Sequence, residues 1–378
     1  MEIAGIICEY NPLHLGHQKQ LKALQSQGQA IVCLMSGNFV QRGKPAVFDK
    51  SLRAEAAVRC GADLVLELPI TAALSSAEGF AAQGVSILSG FCDQLCFGAE
   101  DSSAPLTDLA EALLSDTFKN ALRLRLDEGL SFPAARQAAL ASLGLDADPL
   151  SKPNNILAVE YCKAILAQKA SMKPLIIQRQ GSYHDTAPDP ENPSATALRA
   201  MMEKGQDWQA YIPEEARPVF EGATIHSFSA GDRAVLARLR TMRDEEFEAL
   251  PFGSEGLWRK LMHEARRQPG PEEIAAAVKS KRYTRSRIDR MMMCAFLGLT
   301  EQELATPAPY CRVLAFSQRG REILNNARKT GDFPNAGEHR EHPYQAIETR
   351  TDDLYGLFAI GAPECPGTNQ ARRVRFVR

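Results

Sequence analysis

Short apolar runs alternate with helical patterns over residues 1–100, the arrangement that yields a parallel sheet with helices on its faces. Ile3 to Cys8 reads as a first strand, closed by the turn-forming pair Asn11-Pro12, and a helix is expected from about Gly16 to Gln25. Ala30 to Met35 reads as a second strand. Asp49 is placed to cap a helix over Lys50 to Cys60, which Gly61 ends. Leu64 to Leu68 predicts a third strand stopped by Pro69, Ser75 to Leu88 a helix, and Gln94 to Phe97 a fourth strand ending at Gly98. Ligands of open α/β sheets bind beyond the carboxyl ends of the strands, so Glu9 to His17, Ser36 to Gly43 and Gly98 to Asp101 are expected to gather there.

The pattern stays helical from Leu106 to Leu143, and Pro153-Asn154-Asn155 opens another helix that runs to about Ala167. Pro174 to Gln178 reads as a strand ending at Arg179, and Ser194-Ala195-Thr196-Ala197-Leu198-Arg199 starts a further helix. The polar, proline-bearing stretch from Asp207 to Pro218 suggests a boundary. Beyond it the chain reads as mainly helical, with a short β-like segment at Val313 to Phe316 and an unanchored tail at Arg372-Arg373-Val374-Arg375. The expected architecture is α/β: a doubly wound parallel-sheet nucleotide-binding domain over residues 1–205, followed by a mainly helical region over residues 206–378.

A chain of 378 residues has room for two such units, and 44% hydrophobic with 24% charged residues is the balance of a folded protein. The first residues hold no basic leader, and no stretch approaches about 18 uninterrupted apolar residues, so neither a signal peptide nor a spanning helix is expected. Nine cysteines without a framework suit a reducing compartment, and the cytoplasm is the expected location. Cys92 and Cys96 lack a second pair at zinc-ligand spacing, so no metal centre is expected. The net charge of −2 is uneven: residues 231–378 carry 25 Lys and Arg against 20 Asp and Glu, which makes them the better surface for a polyanion.

Chemistry concentrates in Glu9-Tyr10-Asn11-Pro12-Leu13-His14-Leu15-Gly16-His17. A strand turning into a helix presents backbone N–H groups and the positive end of the helix dipole, a site for phosphates. Gly16 admits close approach to the backbone, and His14 and His17, three apart, share one face from which both can hydrogen-bond a polyphosphate. A helix cap with a second, niche-filling histidine is the plain alternative, and a zinc pair lacks an obvious third ligand. Placed after a first strand, His14-x-Gly16-His17 resembles the HIGH-type signature of the nucleotidyltransferase superfamily.

Longer strings narrow the resemblance. Glu9-Tyr10-Asn11-Pro12, Met35-Ser36-Gly37-Asn38-Phe39-Val40-Gln41-Arg42-Gly43-Lys44-Pro45-Ala46, Asp63-Leu64-Val65-Leu66-Glu67-Leu68-Pro69 and Phe97-Gly98-Ala99-Glu100 are similar to the bacterial tRNA(Met) cytidine acetate ligases. Pro153-Asn154-Asn155-Ile156-Leu157, Tyr183-His184-Asp185 and Lys281-Arg282-Tyr283 carry the similarity across most of the chain. The resemblance implies an enzyme that converts acetate and ATP to acetyl-adenylate and pyrophosphate, then acetylates the exocyclic amine of the wobble cytidine in elongator methionine tRNA. It implies ATP contacts from Ile7, Cys8, Glu9, Tyr10, Asn11, Pro12, Leu13, His14, Leu15, Gly16, His17, Gln18, Lys19 and Gln20, and from Gly98, Asn154 and Arg179. Leu13 and Leu15 stand where the family pattern has a phenylalanine and a polar residue, flanking the histidines without replacing them. Magnesium is expected to accompany the phosphates.

Secondary candidates surround this core. Ser36, Asn38, Arg42 and Lys44 form a polar loop suited to phosphate or acyl contacts, and Ser194, Thr196 and Arg199 resemble a second phosphate-binding signature as well as a plain N-cap. The densest basic run includes Lys281, Arg282, Tyr283 and Arg285. Ile288, Met291, Met292, Ala295 and Phe296 form an apolar stripe that leaves Arg282, Arg285 and Arg290 to a polar side, where they could grip RNA phosphates while Tyr283 stacks on a base. Two rival functions share the histidine site: an adenylyltransferase acting on a small metabolite, and a nucleotide- or RNA-binding protein without catalysis.

Overall fold

The structure, a computed structural model, describes residues 1–130, 132–178, 189, 193–330, 342–367 and 373–378. A seven-stranded sheet is ordered β7-β6-β1-β2-β5-β8-β9, from β1 (Ile3–Cys8), β2 (Ala30–Ser36), β5 (Leu64–Leu68), β6 (Gln94–Ala99), β7 (Lys173–Gln178), β8 (Arg312–Phe316) and β9 (Arg375–Phe376). The strands β7-β6-β1-β2-β5 are parallel, and β8 joins β5 antiparallel. Strand order reverses between β1 and β6, where only Ala4↔Gln94 and Gly5↔Leu95 pair and both strands run on beyond the last pair. A crevice outside the carboxyl ends at such a reversal is where doubly wound sheets bind ligands.

Alternation along the central strand builds the layers. Val32 and Leu34 of β2 enter a core covered by the helices Ala77–Leu88, Leu106–Leu114 and Pro153–Gln168. Ile31, Cys33 and Met35 point to the other face, covered by α1 (Leu15–Ser26) and α2 (Lys50–Arg59) with Leu198, Met202 and Phe220. A third core is helical, centred on Arg285–Leu297, and takes in Phe39, Ile70 and Leu74 from the first part of the chain. Among the described residues no helix is long and apolar enough to cross a membrane.

Several elements differ from the expectation drawn from periodicity. The run from Leu106 to Leu143 is three helices, Leu106–Leu114, Asp116–Asp127 and Phe132–Ser142, because Ser115 ends the first and caps the second through Phe118 N–H. The loop after β2 holds a hairpin, β3 (Phe39–Val40) with β4 (Lys44–Pro45), turning at Gly43 with φ 69°. Arg375 and Phe376 pair with Ala315 and Phe316, so this part of the tail is anchored by ladder bonds. Arg290 is buried, not on a polar face: its guanidinium lies over the Phe252 ring at 5.1 Å. Arg179, Tyr183, His184, Asp185 and Arg372 lie outside the described residues.

Arg53 fastens the carboxyl ends of the two central strands. It is fully buried, and its guanidinium donates to the carbonyls of Phe48 at 2.8 Å, Glu9 at 2.6 Å and Ser36 at 3.1 Å, and to that of Gly37. Burial pulls its pKa below the ordinary arginine value, while Tyr355, Asp49, Cys8 and Glu9 oppose the shift. Arg53→Met is expected to lower the free energy of unfolding by about 3–5 kcal/mol, the scale for breaking one side of a buried polar network. Arg53→Lys should recover little of it, since a point ammonium cannot span four carbonyls. Chemical denaturation monitored by circular dichroism measures both; a loss below about 1 kcal/mol, the net worth of one ordinary hydrogen bond, would show that the fork is dispensable.

Candidate nucleotide site

The loop from Glu9 to His14 leaves β1 at the sheet's reversal point and is held from three sides. Tyr10 takes φ 44° and is buried, with its hydroxyl 3.5 Å from Cys33 Sγ. The Asn11-Pro12 bond is cis. Asn11 Oδ1 accepts from Val47 N–H at 2.7 Å, and its carbonyl accepts from Arg199 Nη1 at 2.6 Å. Glu9 Oε1 accepts from Gln41 N–H at 2.9 Å. Burial pushes the Cys8 thiol and the Tyr10 phenol well above their ordinary pKa values, which favours the neutral form of both.

The two histidines cap α1 reciprocally. His14 is the N-cap: its Nδ1 accepts from Gly16 N–H at 3.1 Å, while His14 N–H donates to His17 Nδ1 at 3.3 Å. This is the geometry of a capping box built from imidazoles. A neutral imidazole that accepts at Nδ1 carries its proton on Nε2, so both rings are set in the same tautomer. The rings stack at 3.8 Å between centroids, and Tyr10 meets His17 edge-on at 5.0 Å. The His14 ring folds over Gly16, where a Cβ would lie 3.1 Å from His14 Cε1. The first turn of α1 has no acidic residue to offset its dipole.

The far side of the crevice is built differently. Gly98 lies within β6, paired with Ile177, and the strand continues to Ala99. Glu100 then caps the helix Pro153–Gln168: its carboxylate accepts from Asn154 N–H at 3.1 Å, Asn154 Nδ2 at 2.6 Å and Asn155 N–H at 2.9 Å. Asn155 Oδ1 in turn accepts from Glu100 N–H at 2.9 Å. A protein carboxylate thus occupies this helix's anion position, whereas the first turn of α1 carries no acidic residue and is capped by imidazoles instead.

The other sequence candidates divide between the site and its support. Ser194 caps the helix Ala195–Glu203 through Ala197 N–H, and Arg199 donates to Thr196 Oγ1 at 3.2 Å as well as to Asn11, so this helix docks on the nucleotide loop. Leu13 is buried and Leu15 half-buried, while Lys19 is exposed. Gln18 Nε2 reaches Glu215 at 2.8 Å and Gln20 Nε2 reaches Cys96 Sγ at 3.3 Å. Ser36 is fully buried. Asn38 is turned inward, accepting from Lys50 N–H at 2.8 Å and donating to Asp352 at 3.0 Å. Arg42 is exposed at the hairpin turn. Lys44 faces Asp289 at 3.4 Å and covers the Phe228 ring at 3.7 Å.

In the basic run Lys281 and Arg282 are exposed. Tyr283 is buried with its hydroxyl donating to the Glu255 carbonyl at 2.6 Å, and the guanidiniums of Arg282 and Arg287 lie over its ring at 6.0 and 5.8 Å. Arg285 is bidentate on Glu272, at 2.6 and 2.5 Å. Sequence reasoning missed Arg53 and Lys50. The signal was a stripe at i, i+3, i+4 and i+7, Lys50, Arg53, Ala54 and Ala57, whose buried face carries two cations. Lys50 Nζ sits 2.7 Å from both Glu67 and Asp352.

Comparison with known proteins fits this geometry. The family model described as HIGH Nucleotidyl Transferase matches residues 1–364. A tRNA(Met) cytidine acetate ligase of Clostridium acetobutylicum is 34% identical over 372 residues, covering 92% of each chain. One of Clostridium novyi is 36% identical over 357 residues, covering 88% of this chain and 89% of the relative. The apo crystal structure of Thermotoga maritima TmcAL superposes with a TM-score of 0.92 at 29% identity, and the form bound with alpha-thio ATP with a TM-score of 0.90, each over 100% of both chains. With an imidazole-capped helix at the sheet's reversal point and full-length relatives of this kind, the chain belongs to the HIGH nucleotidyltransferases, in the tRNA(Met) cytidine acetate ligase family.

Proposed function

We propose that this protein acetylates the N4 amine of the wobble cytidine of elongator tRNA(Met), using acetate and ATP. The observation that carries the reading is that His14 and His17 each accept a backbone N–H at Nδ1 at the start of α1, an arrangement that gives a neutral ring its N–H donor at Nε2. In the first step an acetate oxygen attacks the α-phosphorus of ATP, and the bond to the β-phosphate bridging oxygen breaks. Charge builds on the departing pyrophosphate, and preorganised N–H donors beside a helix dipole stabilise it there without reorganising. In the second step the cytidine amine attacks the acetyl carbonyl carbon, AMP leaves with the electrons of its mixed-anhydride bond, and the amine loses a proton.

ATP is assigned to residues 1–205, with Gly98 leaving space beside the adenine and Arg199 supporting the loop under the phosphates. Arg179 is carried over by resemblance alone. Magnesium enters as part of the substrate, on phosphate oxygens. The tRNA is assigned to the helical region, where Lys281 and Arg282 are the exposed cations of the basic run, and the proposed setting is the cytoplasm. The relatives' names support tRNA(Met) and acetate as substrates, and the alpha-thio ATP in the Thermotoga maritima structure supports ATP.

Mass spectrometry of tRNA nucleosides after incubation with labelled acetate tests donor, acceptor and product together. Label is expected in cytidine only when ATP is present, and acetyl-CoA is not expected to replace the pair. Modification by acetyl-CoA alone would refute the ligase reading. Pyrophosphate release that needs neither acetate nor tRNA but requires a small metabolite to accept the adenylyl group would favour an adenylyltransferase.

His17→Ala is expected to slow acetyl-adenylate formation by about 100-fold, the scale for one preorganised donor, with a smaller change in ATP affinity. Thermal stability is measured in parallel. A folded variant with near-normal pyrophosphate release would remove His17 from the chemistry.

Lys281→Ala and Arg282→Ala are each expected to weaken tRNA binding and to reduce the slope of log affinity against log salt by about 1. ATP binding should hold. Unchanged affinity and slope would place the tRNA elsewhere.

A further inference from the structure

The hairpin of β3 and β4 touches the nucleotide loop on one side and the helical region on the other. Toward the loop, Gln41 N–H holds Glu9 Oε1 at 2.9 Å, and Val47 N–H, just past the hairpin, holds Asn11 Oδ1 at 2.7 Å. Glu9 and Asn11 frame Tyr10, whose ring meets His17. Toward the helix Arg285–Leu297, Lys44 Nζ lies 3.4 Å from Asp289 Oδ1. At Gly43, with φ 69°, a Cβ would stand 2.6 Å from Arg290 N and 2.7 Å from Asp289 O, so hairpin turn and helix backbone meet with no room for a side chain.

We infer that Asp289 is a positioning residue for adenylation. Its carboxylate fixes the hairpin through Lys44, and the hairpin fixes Glu9 and Asn11 and so the His14–His17 pair. Asp289 touches no substrate, and the inference rests on the ATP-dependent reading above. The side chain of Asp289 is 7% exposed and that of Lys44 28%, so water screens the pair far less than it would at the surface. The same carboxylate accepts from Arg285 Nε at 2.9 and 3.0 Å, which orients it from the helix side. Displacing a reacting group by about 1 Å through a remote contact can cost about 100-fold in rate, so a modest loosening of the hairpin is enough to be read in turnover.

Acetate-dependent exchange of labelled pyrophosphate into ATP tests this on the full chain. Asp289→Asn and Lys44→Met are each expected to lower the maximal rate by about 10-fold or more, with KM for ATP changed by less than about 3-fold. Asp289→Glu, which keeps the charge, should recover most of the rate. The double variant Lys44→Met/Asp289→Asn should be no slower than the worse single, because both act through one contact. Hydrogen exchange of the Gln41 and Val47 amides should quicken about 10-fold in Asp289→Asn without a matching rise in the helix Pro153–Gln168. Wild-type turnover in Asp289→Asn, losses that multiply in the double variant, or a loss tracking the unfolded fraction in thermal melts would each overturn the inference. If the unmodified protein shows no acetate-dependent exchange, the acetate reading fails, and the Gln41 and Val47 amides then decide the hairpin's role alone.

Discussion

The buried guanidinium of Arg53 is the constraint on which the site depends. Parallel strands end in carbonyls that ladder bonding no longer satisfies, and an unpaired buried carbonyl is costly. One planar fork gathers those of Glu9, Ser36 and Gly37 with that of Phe48, so the ends of β1 and β2 and the start of the following segments share one partner. The same residue sits on α2, which covers that face of the sheet. Sheet, helix and nucleotide loop are thereby held in one frame.

Within that frame the two helix starts at the crevice are treated oppositely. The helix Pro153–Gln168 receives Glu100, whose carboxylate takes three donors and sets β6 against the helix. The start of α1 receives two imidazoles, each spending Nδ1 on a backbone N–H. A carboxylate there would cancel the dipole and repel phosphate, whereas an imidazole capped at Nδ1 adds a donor to the positive end. Gly16 is required beneath because the His14 ring closes over the first turn.

The helical region is joined to the sheet through charge as well as through strand pairing. Lys50 lies between Glu67 and Asp352, each 2.7 Å away, and Asn38 bridges Asp352 to the start of α2. Burial raises the Glu67 pKa, while the Lys50 ammonium opposes the shift. Removing one member of such a group strands a buried charge, which costs more than the intact pair contributes, so the cluster disfavours alternative seatings of the helix Tyr344–Tyr355. The strand β8 completes the junction by pairing with β5 in the opposite direction.

The sequence by itself determined the four parallel sheet strands and the main helices of the first hundred residues, though not the β3–β4 hairpin, because apolar runs of the right length between turn residues leave few alternatives to a parallel α/β sheet. It also determined the placement of His14, Gly16 and His17 on the first turn of α1, since that follows from local spacing. Local patterns carry no information about which distant groups a polar side chain meets. For this reason the partners that the polar atoms of Asn38, Asn154 and Tyr283 meet, Lys50 and Asp352, Glu100 and Glu255, were not legible in the sequence. Arg290 looked solvent-facing by helical phase and is buried, its guanidinium over the Phe252 ring and its backbone against the hairpin turn at Gly43. Only the tertiary structure decided that Lys50 and Arg53 lie inside, that Arg375 and Phe376 return to the sheet, and that the imidazoles share one tautomer. Each of these is a contact between segments or a choice of hydrogen-bond partner, fixed when burial leaves a polar group a single way to be satisfied.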